Sequence, residues 1–290
     1  MRIVKVNKDS IANILSDLLK RSPTNYGDFQ DKVDAIIKNV RDNGDKAVFD
    51  YTAQFDKAEI NADNILVTEE EIKEAYEEVD DELIKVIRKA IKNIRDFHEK
   101  QIQKSWFETR EDGVMLGQKV TPMETCGVYV PGGKAVYPSS VLMNIVPAHV
   151  AGVKNIIMTT PPGKDGKVTA NTLVAAKEAG ATKVYKVGGA QAIAAMAFGT
   201  ESIPKVDKIV GPGNIFVALA KKAVYGNVSI DSIAGPSEIL VLADETANPR
   251  YVAADLLSQA EHDEMASAIL VTTSEELAHK VSDEILKSVI

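Results

Sequence analysis

Between Gly127 and Leu242 the chain alternates short β-branched runs with alanine-rich stretches, and this alternation narrows its fold more than any other feature. GVYV, NIIMTT, KVYKV, DKIV and EILVLA read as strands. Strands separated by whole helical segments cannot return as tight hairpins, so they are expected to lie parallel, with helices covering the sheet. The helix expected from Ser139 to Ala151 ends in Ala151-Gly152 before the strand at Ile156, and Ala179-Gly180 precedes Val184 in the same way. Glycine after a helix supplies the left-handed residue that ends it. Residues 126–238 are therefore expected to form one α/β lobe.

The flanks follow a different rhythm. From about Ile11 to Gln103 apolar residues recur every three or four positions among charges, as in Leu83, Val86, Ile87, Ile91 and Ile94, which is helical spacing. Ser10 and Thr68 are expected N-caps, Thr68 with Glu71 at capping-box spacing, and Gly44 and Asn61 are expected breaks. Gly113 to Thr121 switches to short alternating runs. After Pro249 a helix is expected from Tyr251 to about Ser267, then the strand AILVTT, then a helix from Ser274 onward. Both flanks need apolar partners. They are expected to pack as one discontinuous α/β lobe, residues 25–125 with 239–290, preceded by a helical arm over residues 1–24. An α/β layer that stops after one strand and one helix at Ile290 reads as part of a longer fold.

With 290 residues the chain is long enough for about two domains. Its 34 basic and 42 acidic residues give no general positive field for a phosphate backbone, so nucleic acid is not an expected partner. No apolar run approaches the roughly 18 residues of a membrane span. A single cysteine, Cys126, excludes an internal disulfide, and the MRIVKVNKDS start has no signal-peptide pattern, which together point to the cytoplasm.

Four glycine turns follow expected strands: Pro131-Gly132-Gly133, Gly188-Gly189-Ala190-Gln191, Gly211-Pro212-Gly213-Asn214 and Gly235-Pro236-Ser237-Glu238. Glycine at the carboxyl edge of a parallel sheet lets a ligand approach the backbone, and helix N-termini there favour phosphate. The usual dinucleotide fingerprint is absent, because Phe216 stands where Gly211-x-Gly213 would need its third glycine. In LLSQAEHDE, Gln259 and His262 lie three apart, so a helix would put them on one face. The pair suits either a metal site or a solvated polar face. His98 and His279 read as solvated, His149 as packed, and Cys126 as a small buried residue.

CGVYVPGGKAVYPSSVLMNIVPAHVAGV, VGGAQAIAAMAFGTESIPKVDKIVGPGN, IAGPSEILVLAD and ADLLSQAEHDE resemble, in order and spacing, the signature blocks of the histidinol dehydrogenase family. The resemblance spans the whole chain. It implies two Rossmann-like lobes of the aldehyde dehydrogenase/histidinol dehydrogenase kind with a helical N-terminal region. It also implies NAD-dependent, zinc-requiring oxidation of L-histidinol to L-histidine through L-histidinaldehyde, the last step of histidine biosynthesis.

Carried over motif by motif, the resemblance assigns NAD contacts to Tyr129, Gln191 and Asn214. It assigns substrate contacts to Ser237, Gln259 and His262, and places Gln259 and His262 among the zinc ligands. The family's catalytic Glu-His pair and its remaining zinc ligands match no motif here. In the family, a C-terminal segment also crosses to a partner subunit, which implies a homodimer. The chain is thus expected to be a truncated, inactive form of the enzyme. The alternative is a non-catalytic nucleotide-binding or assembly protein on the same scaffold.

Overall fold

The computed structural model describes residues 1–7, 11–13, 16, 27–132, 138–233, 238–261 and 266–289. The chain divides into two compact units, Phe29–Ile233 and Met1–Asp28 with Ala234–Ile290. The cap expected at Ser10 lies outside the described residues.

The larger unit opens with three helices, α1 (Gly27–Phe55), α2 (Glu69–Glu78) and α3 (Asp81–His98), and a hairpin of β1 (Trp106–Thr109) and β2 (Met115–Gln118). It continues with β3 (Thr125–Tyr129), α4 (Pro138–Val150), β4 (Asn155–Thr160), α5 (Ala170–Ala179) and β5 (Lys183–Lys186). Then come α6 (Gly189–Phe198), β6 (Lys208–Val210), α7 (Ile215–Val224) and β7 (Ser229–Ile230). Strands β3 to β7 form one sheet in the order β5-β4-β3-β6-β7, with every neighbouring pair parallel. The chain works outward from β3 to β5, then returns to the other side of β3 for β6 and β7. Such a reversal opens a crevice at the carboxyl ends of the two central strands, which is where open α/β sheets receive ligands.

Local chemistry accounts for the elements. Gly44, at φ 54°, kinks α1 where the sequence placed a break. Glu201 accepts the N–H of Asp45 at 2.8 Å, and Asp45 in turn accepts from the backbone and hydroxyl of Ser202. At α2 the capping box forms as the spacing implied: Glu71 N–H donates to Thr68 Oγ1 and Thr68 N–H to Glu71 Oε2. Gly152 and Gly180 adopt the left-handed conformation after α4 and α5. The outer edge of β5 is covered by an extended segment, with Val67 N–H donating to Val184 O and Lys186 N–H to Ile65 O. That pairing removes one exposed sheet edge.

Helices α2 and α3 bury Ala75, Val79, Ile84 and Ile87 in one core with Val128, Ile145, Ile156 and Leu173. They therefore lie in the same compact unit as the central sheet, whereas the sequence grouping put 25–125 with 239–290. The apolar stripe of α3 needs a continuous surface, and α4 and α5 present one over the sheet. Strand β7 was not foreseen, because two residues carry no readable periodicity.

In the smaller unit, β8 (Glu238–Ala243) and β9 (Ser267–Thr272) pair in parallel, joined through α8 (Pro249–Ala260) and followed by α9 (Glu275–Val289). Asn248 caps α8 by accepting the Arg250 N–H, and Pro249 occupies the first turn, where its missing N–H costs nothing. This helix was expected to continue to about Ser267. It ends at Ala260 because Ser267 already pairs with Glu238 in the ladder. Val252, Leu256, Leu277 and Val281 cover one face of the strand pair. Leu240 and Leu242 lie on its open face, 61% and 78% exposed.

Candidate functional site

The glycine turns of the larger unit gather at the carboxyl edge of its sheet. Tyr129 ends β3 with its side chain enclosed, and its phenol oxygen accepts the backbone N–H of Gly189 at 3.1 Å. Burial pushes the phenol up to about 12, so it stays neutral at ordinary pH. Gly189 has φ 65°, and a Cβ there would stand 2.6 Å from Gln191 Oε1. Only glycine lets the glutamine fold back over its own helix start.

Gln191 is the unusual group of this edge. It is 1% exposed within α6, and its Oε1 is enclosed without a hydrogen-bond partner. An unsatisfied buried carbonyl costs about 1 to 3 kcal/mol, so such groups mark places where a ligand can complete the hydrogen bonding. Its neighbours in the helix, from Ala190 to Ala197, are buried too. Their small side chains allow a whole helix to sink beside the sheet. Gly127 permits the closest approach, since a Cβ there would meet Met196 Sδ at 2.6 Å.

Across the switch point, β6 runs out into Gly211, with φ 117°. A Cβ at this position would sit 2.0 Å from the carbonyl oxygen of Tyr129. The turn leads into Asn214, whose Oδ1 accepts from Phe216 and Val217 N–H at 3.1 and 3.2 Å and so caps α7. Asn214 is exposed, its amide nitrogen free of this capping role. Gly132 and Gly188 both crowd Pro161 at the end of β4, with prospective Cβ distances of 2.6 and 2.5 Å. The ends of β3, β4, β5 and β6 thus come together in one closely packed shelf whose described turns are rich in glycine.

Three functional candidates on this shelf escaped the sequence reading. Asp56, after α1, has its Oδ2 enclosed without a hydrogen-bond partner, burial lifts its carboxyl to about 6, and its charge is felt by the Tyr129 phenol. Lys221 and Asp231 hold the Gly211 turn from below. Lys221 lies on the stripe Val217, Lys221, Val224, so helical periodicity places it inward despite its charge. No comparable signal marks Asp56 or Asp231.

Of the six site residues expected from sequence, Tyr129, Gln191 and Asn214 share this edge. Gln259 lies in the other unit, half-buried near the end of α8. Ser237 and His262 lie outside the described residues. The shared helix face expected for Gln259 and His262 therefore involves a residue outside the described ones. Among the described residues, no group of three or more histidine, cysteine, aspartate or glutamate side chains could hold a metal ion. Burial raises the Cys126 thiol to about 11, which keeps it un-ionised and agrees with a packing role. His149 is exposed against Gly180 rather than packed in the core. No described helix is long and apolar enough to cross a membrane.

Comparison with known proteins accords with this architecture. Residues 19–289 match the family model of histidinol dehydrogenase. The chain is 57% identical over 286 residues to histidinol dehydrogenase of Halalkalibacterium halodurans, covering 98% of this chain and 65% of that protein. It is 59% identical over 285 residues to the Bacillus subtilis enzyme, covering 98% and 66%. The crystal structure of histidinol dehydrogenase from Elizabethkingia anophelis superposes with a TM-score of 0.82 at 40% identity, over 99% of this chain and 62% of that one. The chain thus spans about two thirds of the length of these relatives. A parallel sheet switched between β3 and β6, glycine turns gathered at its carboxyl edge, and identity along nearly the whole chain agree: the chain belongs to the histidinol dehydrogenase family.

Proposed function

We propose that the chain carries the NAD-binding shelf of histidinol dehydrogenase and a part of its substrate and zinc site. The family's reaction oxidises L-histidinol to L-histidine through L-histidinaldehyde. The observation that supports the NAD assignment is Gln191 Oε1, enclosed and unpartnered beside glycine turns packed closely against Pro161 and the Tyr129 backbone. The residues present fit a dinucleotide. Gln191 would supply a carbonyl acceptor and Asn214 an amide donor at a helix N-terminus, while the backbone at Gly188, Gly189 and Gly211 would come close to the cofactor. When bound, NAD supplies the hydride acceptor. Tyr129 is read as a contact and as the brace of Gly189, its phenol oxygen accepting from that glycine. Lobe 126–238 remains the cofactor lobe in this reading.

On the substrate side, Ser237, Gln259 and His262 are read as contacts for L-histidinol, the last two also as zinc ligands. Tight zinc binding needs about three protein ligands. The described residues supply no such cluster. In this reading the whole enzyme acts in the cytoplasm as a homodimer, with no nucleic-acid or membrane partner. In this reading no motif of the chain matches the family's Glu-His pair, which would supply the proton acceptor for the alcohol.

Calorimetric titration of the chain with NAD+ tests the assignment. Gln191→Ala should weaken binding by about 1 to 3 kcal/mol, the value of a hydrogen bond lost from an enclosed polar group, and Asn214→Ala, at an exposed position, by about 0.5 to 1.5 kcal/mol. Unchanged affinity in both variants would remove Gln191 and Asn214 from the site.

A further inference from the structure

Lys221 is among the most deeply buried side chains of the protein, 1% exposed, yet it lies on an otherwise apolar helix stripe. Its ammonium donates to the carbonyl oxygen of Gly211 at 2.8 Å and is ion-paired with Asp231. Asp231 Oδ2 accepts the N–H of the same glycine at 2.8 Å. Both polar groups of Gly211 are therefore held by one ion pair.

This grip occurs where the sheet offers no alternative. The ladder between β6 and β7 pairs Ile209 with Ile230, and Asp231 N–H bonds Ile209 O at 3.2 Å, after which β7 ends. Beyond that point the carboxylate of Asp231 stands in for a strand. Position 211 takes glycine, because at φ 117° any Cβ would collide with Tyr129 O. A buried lysine is an expensive way to pack a helix, since an apolar residue of similar volume avoids desolvating an ammonium. What the ammonium adds is direction: it fixes the carbonyl of Gly211, and with it the path of Pro212, Gly213 and Asn214.

We propose that Lys221 and Asp231 are positioning residues for the dinucleotide, setting the Gly211–Asn214 turn in its cofactor-receiving conformation. The inference rests on the reading of the shelf as the NAD site. Neither residue needs to touch the cofactor, since both act through Gly211.

The test measures NAD+ affinity by calorimetry and backbone amide exchange in the wild-type chain, Gln191→Ala, Lys221→Met, Lys221→Arg and Asp231→Asn. Lys221→Met and Asp231→Asn should weaken NAD+ binding about tenfold, as expected when a binding element is misplaced. Exchange should quicken at 211–217 while β3 and β4 stay protected, a local pattern that a general loss of stability does not give. Lys221→Arg should recover most of the affinity. If Lys221→Met does not fold, Asp231→Asn carries the test, since Asp231 is partly exposed. Should the wild type bind and Gln191→Ala weaken it while Lys221→Met and Asp231→Asn bind like wild type, the positioning role is overturned and the NAD site stands. If the wild type does not bind NAD+, or Gln191→Ala has no effect, the site reading fails and the positioning role falls with it.

Discussion

The phenol oxygen of Tyr129 accepts the backbone N–H of Gly189 at 3.1 Å, which ties the end of β3 to the first turn of α6. Gln191 lies two residues further on, so the tie also fixes the helix turn that presents the unpartnered carbonyl. Tyr129→Phe leaves the Gly189 N–H enclosed without its acceptor. The variant should lose about 1 to 3 kcal/mol in urea unfolding. The phenol rises from 10.0 to about 12 in the folded state, so the wild type keeps its proton more tightly when folded. Its contribution should be constant below pH 10, and stability should fall as pH climbs from 10 towards 12. A variant as stable as the wild type would show that the hydrogen bond contributes nothing.

Gln191 should display a trade between stability and binding. Replacing it with methionine keeps the volume and removes the unpartnered oxygen, so Gln191→Met should raise the unliganded chain's stability by about 1 kcal/mol. The same change should weaken NAD+. A melting-temperature rise without loss of affinity would mean that the carbonyl does not face the cofactor.

Asp56 gives a pH dependence of definite sign. Burial raises its carboxyl from 3.8 to about 6, so the folded state holds the proton more tightly than the unfolded state. Between those values stability therefore falls as pH rises, and above about 6 the penalty is complete. Partial exposure reduces it to about 1 kcal/mol or less. Asp56→Asn should melt higher than wild type above pH 6 and show no gain below pH 3.8. A gain of equal size at both extremes would exclude a charge effect.

Much of this was legible in the sequence because period and punctuation agree. NIIMTT and EILVLA became β4 and β8 at their expected limits, and Gly152 and Gly180 ended helices as glycine caps. Tyr129, Gln191 and Asn214 fell on one edge because each lies at or just beyond the end of a parallel strand, and all such strands end on the same side. The illegible parts were tertiary. That α2 and α3 share a core with the central sheet is a tertiary choice that no local pattern records. Lys221 looks solvated in AKKAV until the buried stripe of α7 is drawn, and Asp231 acquires its role only because β7 stops one residue earlier.

Leu240 and Leu242 face outward from a parallel strand pair, an arrangement that normally has both faces covered. The chain should bind an apolar fluorescent dye in its folded state. Leu240→Thr with Leu242→Thr should lower that signal without unfolding α8 or α9. An unchanged signal would locate the dye elsewhere.

In the proposed reading the residues of this chain supply no proton acceptor for the family's reaction, so they should form no NADH from L-histidinol even with excess zinc. A form lengthened to span the relatives, assayed in parallel, should be active. Equal activity in the two would mean that a base lies among residues read here as structural.

Hydrogen exchange with and without NAD+ tests the central claim most directly, because it reports where the cofactor sits as well as whether it binds. Added NAD+ should slow exchange around 129–132, 188–192 and 211–217, the turns at the carboxyl ends of β3, β5 and β6. The opposite end of the sheet should be unchanged. Protection absent from these turns, or confined to β8, β9 and their helices, would contradict the assignment of the shelf.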